Sequence, residues 1–391
     1  DAPPAGSPLE GGAQVAQLAA RLGVSDRHLR RLFDAALGIS PLQYLQTRRL
    51  LVAKQLLTDT RLPVTQVALA SGFASVRRFN AAFVQHYGLN PTQLRHAGPA
   101  DAGRSRPVRL GYRPPYDAAA LLAFFAARQI PAVEAADTRV LRRTARLSSG
   151  NAEHAGWLEA TFEAARSRVA LTVSDSLLPV LPQVIARVRA MLDLDADPAA
   201  IATVLHGDFP EGDGLRVPGC FDGFELAVRA VLGQQVTVAA ARTLVQRLVE
   251  RFGTPIETPW PGLNRTFPAA AALATAEGEA LGQLGIVRQR QAAIVALARA
   301  VDSGQLALHA HADVEATTVA LCQLPGIGDW TAQYIAMRAL RWPDAFPSGD
   351  VALHKALGVQ GARQAARAAA ERAQGWRPWR SYAVVRAWAT L

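Results

Sequence analysis

The residues best placed to do chemistry lie between Leu324 and Asp350. Leu-Pro-Gly-Ile-Gly-Asp-Trp-Thr-Ala-Gln-Tyr runs from Leu324 to Tyr334, and Phe-Pro-Ser-Gly-Asp from Phe346 to Asp350. Pro325, Gly326, Ile327 and Gly328 make a tight turn between two apolar-periodic segments, Val319 to Leu324 and Trp330 to Leu340, a pattern that predicts a helix-hairpin-helix. Glycine leaves the turn's backbone bare, so the N–H groups at Gly326, Gly328 and the start of the second helix can approach a phosphate, aided by the helix dipole. A grip of that kind holds a nucleic-acid backbone without reading its sequence. Asp350 follows a Pro-Ser-Gly break and opens a helix expected over Val351 to Leu357, whose first N–H groups favour a negative charge. Taken alone, an Asp in front of a helix is an N-cap.

The elements around this stretch fall into blocks of different character. At 391 residues the chain is long enough for two to four domains. Its net charge of +10 is unevenly spread, because residues 1–107 hold 13 of the 42 basic and 6 of the 32 acidic residues, giving this quarter +7. So basic a front end suggests nucleic acid as its partner, the plainer alternative being a solvated surface. Arg outnumbers Lys forty to two, which carries no functional weight. Cys220 and Cys322 are too few for a disulfide framework or a four-cysteine metal site, and both are expected to be buried and inert. No apolar run approaches membrane-spanning length, and no secretory signal is visible. A reduced cytoplasm, with the protein on the nucleoid, fits these features. The chain opens on Asp1 rather than Met, consistent with removal of an upstream segment.

Residues 1–12 are Pro/Gly-rich and expected to be disordered. An internal repeat follows. Leu18 to Ser25 is echoed by Val67 to Ser75, and the agreement continues at an offset of fifty through Leu29 and Phe79, Phe33 and Phe83, Gly38 and Gly88, Pro41 and Pro91, Gln43 and Gln93. Each copy reads as a helix, a Gly-containing turn, a capping Ser and a second helix with basic residues on its outer face. A helix over Pro41 to Leu57 would join them. In such units the second helix enters the major groove. The candidate DNA contacts are Arg27, His28, Arg30 and Arg31 in the first copy and Ser75, Arg77, Arg78 and Asn80 in the second. Each could touch a base, a phosphate, or only water. Leu29, Phe33, Phe79 and Phe83 are assigned to the core. Over residues 13–97 the arrangement resembles the DNA-binding domain of AraC-type transcription regulators, carried by Gly23, Ser25, Gly72, Phe73, Phe79, Phe83, Gly88 and Pro91.

Residues 98–107 read as a linker. Beyond it, strands expected over Val108 to Arg113, Val133 to Ala136, Arg139 to Arg146, Trp157 to Phe162 and Arg168 to Val173, with helices over Ala118 to Gln129 and Leu178 to Leu192, make residues 108–196 an α+β layer. Residues 197–391 are helical. The fold class is therefore mainly α: a double helix-turn-helix domain, a small α+β antiparallel-sheet domain and all-α helix-hairpin-helix domains.

Hairpin, spacing and lone carboxylate together resemble the helix-hairpin-helix superfamily of DNA base-excision glycosylases. Residues 108–391 more narrowly resemble the AlkA-type 3-methyladenine DNA glycosylases, on the Arg-Pro-Pro-Tyr-Asp at Arg113, Leu-Gly-Gln-Gln-Val at Leu232, Pro-Gly-Ile-Gly-Asp-Trp-Thr-Ala at Pro325, Ser-Gly-Asp at Ser348 and Trp-Arg-Pro-Trp-Arg-Ser-Tyr at Trp376. Joined to an AraC-type unit, such an enzyme resembles parts of the bacterial adaptive response to alkylation. No cysteine precedes Cys220, so the cysteine-rich methyl-acceptor domain found in some such fusions is absent from this chain.

The resemblance implies a monofunctional glycosylase that cleaves the N-glycosidic bond of alkylated, cationic purines such as 3-methyladenine and 7-methylguanine in double-stranded DNA. Ordinary glycosidases need a second carboxyl group to protonate the leaving group. A base that already carries positive charge does not, which makes one acid sufficient. Asp350 would then stabilise the sugar cation, orient or deprotonate the attacking water, or do both. Trp330 and Tyr334, four residues apart on one helix face, would hold the cationic base with Trp388 and Phe124. Gln235 stands where the family has a residue that fills the gap left by the flipped base, a role in which some members use Leu. Gly326 and Gly328 would grip the DNA backbone, with Lys355 as a phosphate contact. Strand-nicking relatives carry a nucleophilic Lys where this chain has Trp330, so no Schiff base is expected. No cofactor is required; the family adds a monovalent cation at the hairpin carbonyls of Gln323 to Ile327. Further expectations are promoter DNA as a second partner, no membrane, and a monomer. The alternative reading of the same sequence is a transcription regulator of the alkylation response whose C-terminal half binds lesions without cleaving them; a bifunctional glycosylase/lyase is a second rival.

Overall fold

The computed structural model describes residues 15–16, 18–19, 24–59, 62–96, 107–150 and 152–391. The segment expected to be disordered, Gly23 and nearly all of the expected linker lie outside them. Two compact units are present: one runs to Arg109 and takes in Leu181–Gln183, and the other comprises Leu110–Val180 and Val184–Leu391.

In the first unit the fifty-residue repeat becomes a repeat of hydrogen bonds. Helix α1 (Asp26–Leu37) is capped by Ser25, whose hydroxyl oxygen accepts the N–H of His28 at 3.2 Å. Helix α2 (Pro41–Asp59) and the short α3 (Val64–Ala70) lead to α4 (Val76–Tyr87), capped by Ser75 through the N–H of Arg78 at 3.3 Å. Helices α1 and α4 both end on a left-handed glycine, Gly38 with φ +65° and Gly88 with φ +71°. Helix α2 and helix α5 (Pro91–His96) start alike, Gln43 accepting from the N–H of Ser40 and Gln93 from that of Asn90. Leu29, Phe79 and Phe83 are buried, and Phe79 sits 5.4 Å from Phe83, ring centre to ring centre. Phe33 departs from its core assignment: it is only partly buried, edge-on to Tyr44 at 5.5 Å.

Strand β1 (Val108–Gly111) leads into the second unit and to α6 (Ala118–Arg128), capped by Asp117. Strands β2 (Glu134–Ala136), β3 (Val140–Ser149), β4 (Ala152–Glu163) and β5 (Arg168–Val173) complete a five-stranded sheet ordered β1-β5-β4-β3-β2. The pairs from β2 to β5 are antiparallel, with Trp157 opposite Thr144 and Leu171 opposite Ala160. Alternation sets which face is inside: Val169, Leu171 and Val173 are buried and their neighbours in the strand are not. The helix expected from Leu178 begins instead as a 3₁₀ turn, Asp175–Val180, and becomes α7 at Leu181–Met191. Pro179 and Pro182 supply no N–H to a regular first turn.

The remainder is helical: α8 (Pro198–Leu205), α9 (Gly223–Leu232), α10 (Val238–Phe252), α11 (Ala270–Ala274), α12 (Gly278–Gly282), α13 (Arg288–Asp302), α14 (Val314–Cys322), α15 (Asp329–Arg338), α16 (Val351–Ala356), α17 (Ala365–Arg372) and α18 (Arg380–Trp388). Their apolar faces close on one core that includes Val228, Val231, Leu248, Ile294, Leu297, Ile335 and Val384. A buried charge cluster fastens the sheet to α9. Arg143 on β3 donates to Glu225 at 2.6 Å, and Arg229 donates to Glu134 on β2 at 2.7 Å and to Glu225 at 2.9 Å. Among the described residues no helix is long and apolar enough to cross a membrane. Both cysteines depart from the expected burial: Cys322 is exposed at the end of α14, and Cys220 is only partly buried.

Candidate active site

Helices α14 and α15 are joined by the turn that the Pro-Gly-Ile-Gly stretch predicts. Gly326 takes φ +74°, and a Cβ there would lie 3.3 Å from that of Ala293 on α13, so both conformation and space call for glycine. Gly328 is the N-cap of α15 and offers no side chain to its first N–H groups. A Cβ at Gly328 would meet nothing within 4 Å, so this face of the turn is open. Lys355 is exposed on α16.

Asp350 caps α16, its Oδ1 accepting the N–H of Leu353 at 2.7 Å. Asp117 and Asp313 cap α6 and α14 in the same way. Asp350 differs in what else reaches it. The indole N–H of Trp388 donates to Oδ1 at 3.1 Å, and that of Trp330 to Oδ2 at 2.9 Å. The loop beneath is fixed by the Asp350 N–H to the Pro347 carbonyl at 2.9 Å and by His354, whose Nε2 lies 2.6 Å from the Ser348 carbonyl. A carboxylate offers about four lone-pair sites. Two on Oδ1 and one on Oδ2 are taken, so Oδ2 is the oxygen with capacity to spare for a cation or a water. The residue is only 9% exposed, which strengthens any such interaction.

Asp350 lines a cavity of about 630 Å³ together with Trp330, Tyr334, Trp388 and Phe124. Trp330 and Tyr334 stack with their planes 12° apart and centroids 5.3 Å apart, and Tyr334 lies 6.5 Å from Trp388. These rings and the carboxylate form one wall. The opposite chemistry surrounds Phe124. The guanidinium of Arg128 lies 3.8 Å from its ring centre and that of Arg338 4.8 Å, and Arg338 also donates to the Tyr334 hydroxyl at 2.5 Å. Arg216, Arg229 and Arg242 line the same space. Of these five arginines, Arg229 alone is ion-paired to carboxylates among the described residues. The sequence reading missed Arg128 and Arg338, although each stands four residues after an aromatic it did select, Phe124 and Tyr334.

Gln235 is exposed beside this cavity in the connection between α9 and α10, with φ +53°. Its neighbour Gln234, also missed, donates through Nε2 to the Gly326 carbonyl and to Thr331 Oγ1, both at 3.0 Å. Of the hairpin carbonyls expected to face a monovalent cation, that of Gly326 accepts this bond and that of Leu324 accepts the Ile327 N–H. Each oxygen keeps a second lone pair. Among the described residues no group of His, Cys, Asp and Glu could hold a metal.

The helix-turn-helix candidates sit on α1 and α4. Arg27, Arg30, Arg31, Arg77, Arg78 and Asn80 are exposed and His28 partly so. Arg30 donates to Asp26 at 2.9 Å, Arg31 to His28 Nδ1 at 2.9 Å, and the Ser75 oxygen is engaged in capping.

Residues 18–97 match a helix-turn-helix domain, residues 107–222 the AlkA N-terminal domain, and residues 228–381 the HhH-GPD superfamily of base excision DNA repair proteins. A Mycobacterium tuberculosis protein named "Probable bifunctional transcriptional activator/DNA repair enzyme AlkA" is 37% identical over 96% of this chain and 77% of its own length. "DNA-3-methyladenine glycosylase 2" of Escherichia coli is 34% identical over 72% of this chain and 96% of its own. A solved 3-methyladenine DNA glycosylase from Archaeoglobus fulgidus superposes with a TM-score of 0.60 at 21% identity, over 72% of this chain and 96% of that one, which shows the shared fold. The chain belongs to the AlkA family of helix-hairpin-helix base-excision repair proteins, as a DNA glycosylase fused to an AraC-type helix-turn-helix unit.

Proposed function

We propose that the enzyme is a monofunctional glycosylase that hydrolyses the N-glycosidic bond of cationic alkylated purines, 3-methyladenine and 7-methylguanine among them. The observation that carries this reading is the Asp350 carboxylate, held by the indole N–H groups of Trp330 and Trp388 in the wall of a ring-lined cavity. The flipped base stacks on that wall, and the deoxyribose lies beside Oδ2. The C1′–N bond breaks with both electrons passing to the base, which cancels its positive charge without a proton donor. Asp350 stabilises the oxocarbenium-like sugar as the charge appears there. Water then adds to C1′ and releases its proton to the carboxylate and on to solvent.

The arginines refine where the base sits. A cation packed against Phe124 would meet the guanidinium groups of Arg128 and Arg338. Away from Phe124 it meets the ring of Trp330 and the negative charge of Asp350, whereas Tyr334 already carries the Arg338 guanidinium, 5.3 Å from its ring centre. Phe124 accordingly anchors the two guanidinium groups and bounds the cavity. Lys355 is not among the residues lining the cavity, and Trp330 occupies the helix position from which a Schiff-base lysine would act, so no strand nicking follows excision.

We place Gly326 and Gly328 on the DNA backbone, Gln235 in the gap left by the flipped base, and the exposed residues of α1 and α4 on the major groove of an adjoining duplex segment or a promoter. A monomer in the cytoplasm, acting on the nucleoid, suffices for all of these roles. Incubation with methylated duplex DNA tests the central claim: wild type releases free 3-methyladenine and 7-methylguanine, and Asp350→Asn lowers the rate by about 10²–10³-fold. Unchanged release by Asp350→Asn, or none by wild type, overturns it.

A further inference from the structure

The residue expected to fill the flipped-out gap, Gln235, follows a residue that is bonded on two sides. The Nε2 group of Gln234 has two hydrogens, and both are used: one on the Gly326 carbonyl at 3.0 Å and one on Thr331 Oγ1 at 3.0 Å. Its backbone carbonyl accepts from Arg290 Nη2 near the start of α13. Thr331 is 2% exposed, so neither it nor the turn it supports can shift without disturbing the core. Gln234 thus ties the α9–α10 connection to the apex of the hairpin, and Arg290 ties it to the helix on which that apex rests.

The next residue shows the consequence. Gln235 is not a glycine, yet it takes φ +53°, a conformation that costs about 1 kcal/mol or more and persists where the surroundings over-determine it. It is exposed, and so are Val236 and Val238 behind it. An exposed side chain on a strained backbone is thereby fixed at a set position relative to the phosphate-gripping turn.

We propose that Gln234 is a positioning residue for base flipping, which sets Gln235 against the hairpin so that gripping the backbone and filling the vacated stack occur as one event. This rests on the glycosylase reading above and on Gln235 as the gap-filling residue. Filling a gap one base deep demands a fixed distance between the inserted side chain and the held phosphate, and a displacement of about 1 Å is enough to cost about 10²-fold in rate. The amide of Gln234 is the bond that sets this distance.

The test separates flipping from chemistry. Gln234→Glu keeps the shape of the side chain and removes both donors, and Thr331→Val removes one acceptor while Thr331→Ser restores it. Single-turnover release of 7-methylguanine is measured from a duplex in which the lesion is paired with cytosine and from one in which it faces an abasic analogue, where eversion costs least. The proposal expects release by Gln234→Glu and Thr331→Val to fall about 10–100-fold on the paired lesion and less than about threefold on the unpaired one. Thr331→Ser should return most of the paired rate. Equal losses on the two substrates would mean a merely structural residue and overturn the proposal, as would wild-type rates for Gln234→Glu on the paired lesion. Should Gln234→Glu fail to fold, the Thr331 pair gives the same reading alone. Wild type inactive on both duplexes would instead remove the glycosylase reading, and this proposal with it.

Discussion

Trp330 donates its indole N–H to Oδ2 of Asp350 at 2.9 Å across a sequence separation of 20 residues, so the ring expected to receive the base also aims the carboxylate. Replacing Trp330 by Phe keeps a stacking face and removes only the donor. A hydrogen bond to a charged group contributes about 1.5–3 kcal/mol, and each 1.36 kcal/mol is tenfold in rate. Trp330→Phe and Trp388→Phe should each lower the turnover number for base release about 10–100-fold, with a much smaller change in affinity for DNA carrying an abasic product. A threefold effect or less on turnover would mean that the indoles hold the base alone and leave the carboxylate to its helix cap.

The guanidinium of Arg128 over Phe124 gives the cavity a positive side that a cationic base must avoid. Burial lowers the basicity of Arg128, with Tyr334 acting against this and Arg338 and Arg229 adding to it, as expected of a crowded cation. Arg128→Leu should therefore favour cationic over neutral lesions. At an effective dielectric near 20 a unit charge several ångströms away is worth about 1–2 kcal/mol, so the ratio of 7-methylguanine release to release of a neutral damaged purine should rise about five- to thirtyfold. Competition assays with both lesions in one duplex set read that ratio directly. A ratio that stays put would show the arginine to be screened from the base.

How much of this could be read in the chain depends on how far apart the partners stand. Trp330, Tyr334 and Asp350 were legible because helix periodicity puts the first two on one face and a Pro-Ser-Gly break marks the third. The twin helix-turn-helix units were legible because equal residues recur at one offset, Ser25 with Ser75 and Gly38 with Gly88. Gln234 was not, since its partners Gly326 and Thr331 lie 92 and 97 residues away and a glutamine near a helix end has no pattern of its own. Nor was the charge cluster of Glu134, Arg143, Glu225 and Arg229, in which strand and helix meet across 82 residues between Arg143 and Glu225. Arg128 and Arg338 could have been found by extending the same-face spacing one turn beyond Phe124 and Tyr334.

That cluster makes stability depend on pH in a definite direction. Burial alone would raise the Glu134 carboxyl, but Arg229 and Arg143 outweigh it and hold it below the usual carboxylate range. The Arg229 guanidinium moves the other way: desolvation would lower it, and Glu134 and Glu225 raise it instead. With a depressed folded value the unfolded chain binds the extra proton, so the contribution is complete above the ordinary glutamate range, about pH 4.3, and is lost as pH falls through the lower folded value. Glu134→Gln should cost about 3–5 kcal/mol at pH 7, because it leaves buried cations short of a partner, yet lose less further stability on acidification than wild type does. Urea denaturation at pH 7 and pH 3 compares the two losses. Parallel losses in wild type and variant would mean that Glu134 is not the titrating group.

The two thiols should differ in reach and share poor reactivity. Burial pushes the Cys220 thiol up to about 12, so at pH 8 only about one molecule in 10⁴ carries a thiolate there. Cys322 is also raised, by desolvation and then by Asp329, but it is exposed. Maleimide at pH 8 should label Cys322 slowly and Cys220 only after denaturation, as read by peptide mass spectrometry. Prompt labelling of Cys220 in the native protein would show that the segment leading into α9 opens readily.

Arg30 and Arg77, exposed on α1 and α4, differ in whether an acid in the same first turn can hold them, and this sets how each should contribute to DNA binding. In α1, Arg30 is held by Asp26 at 2.9 Å; fifty residues on, the place of Asp26 is taken by Val76, and the first turn of α4 contains no acid. A cation already paired to a carboxylate must give up that partner before it can displace counterions from DNA, whereas an arginine without one does so at no such cost. Arg77→Ala should therefore reduce the slope of log affinity against log salt by about 1, and Arg30→Ala by clearly less. Excision from a short lesion-bearing duplex should change less than about twofold in either variant, since neither residue lines the cavity around Asp350. Fluorescence anisotropy over a salt series gives the slopes. Equal reductions would mean that Asp26 releases Arg30 freely on binding, and a slope unchanged by Arg77→Ala would take α4 off the phosphate backbone altogether.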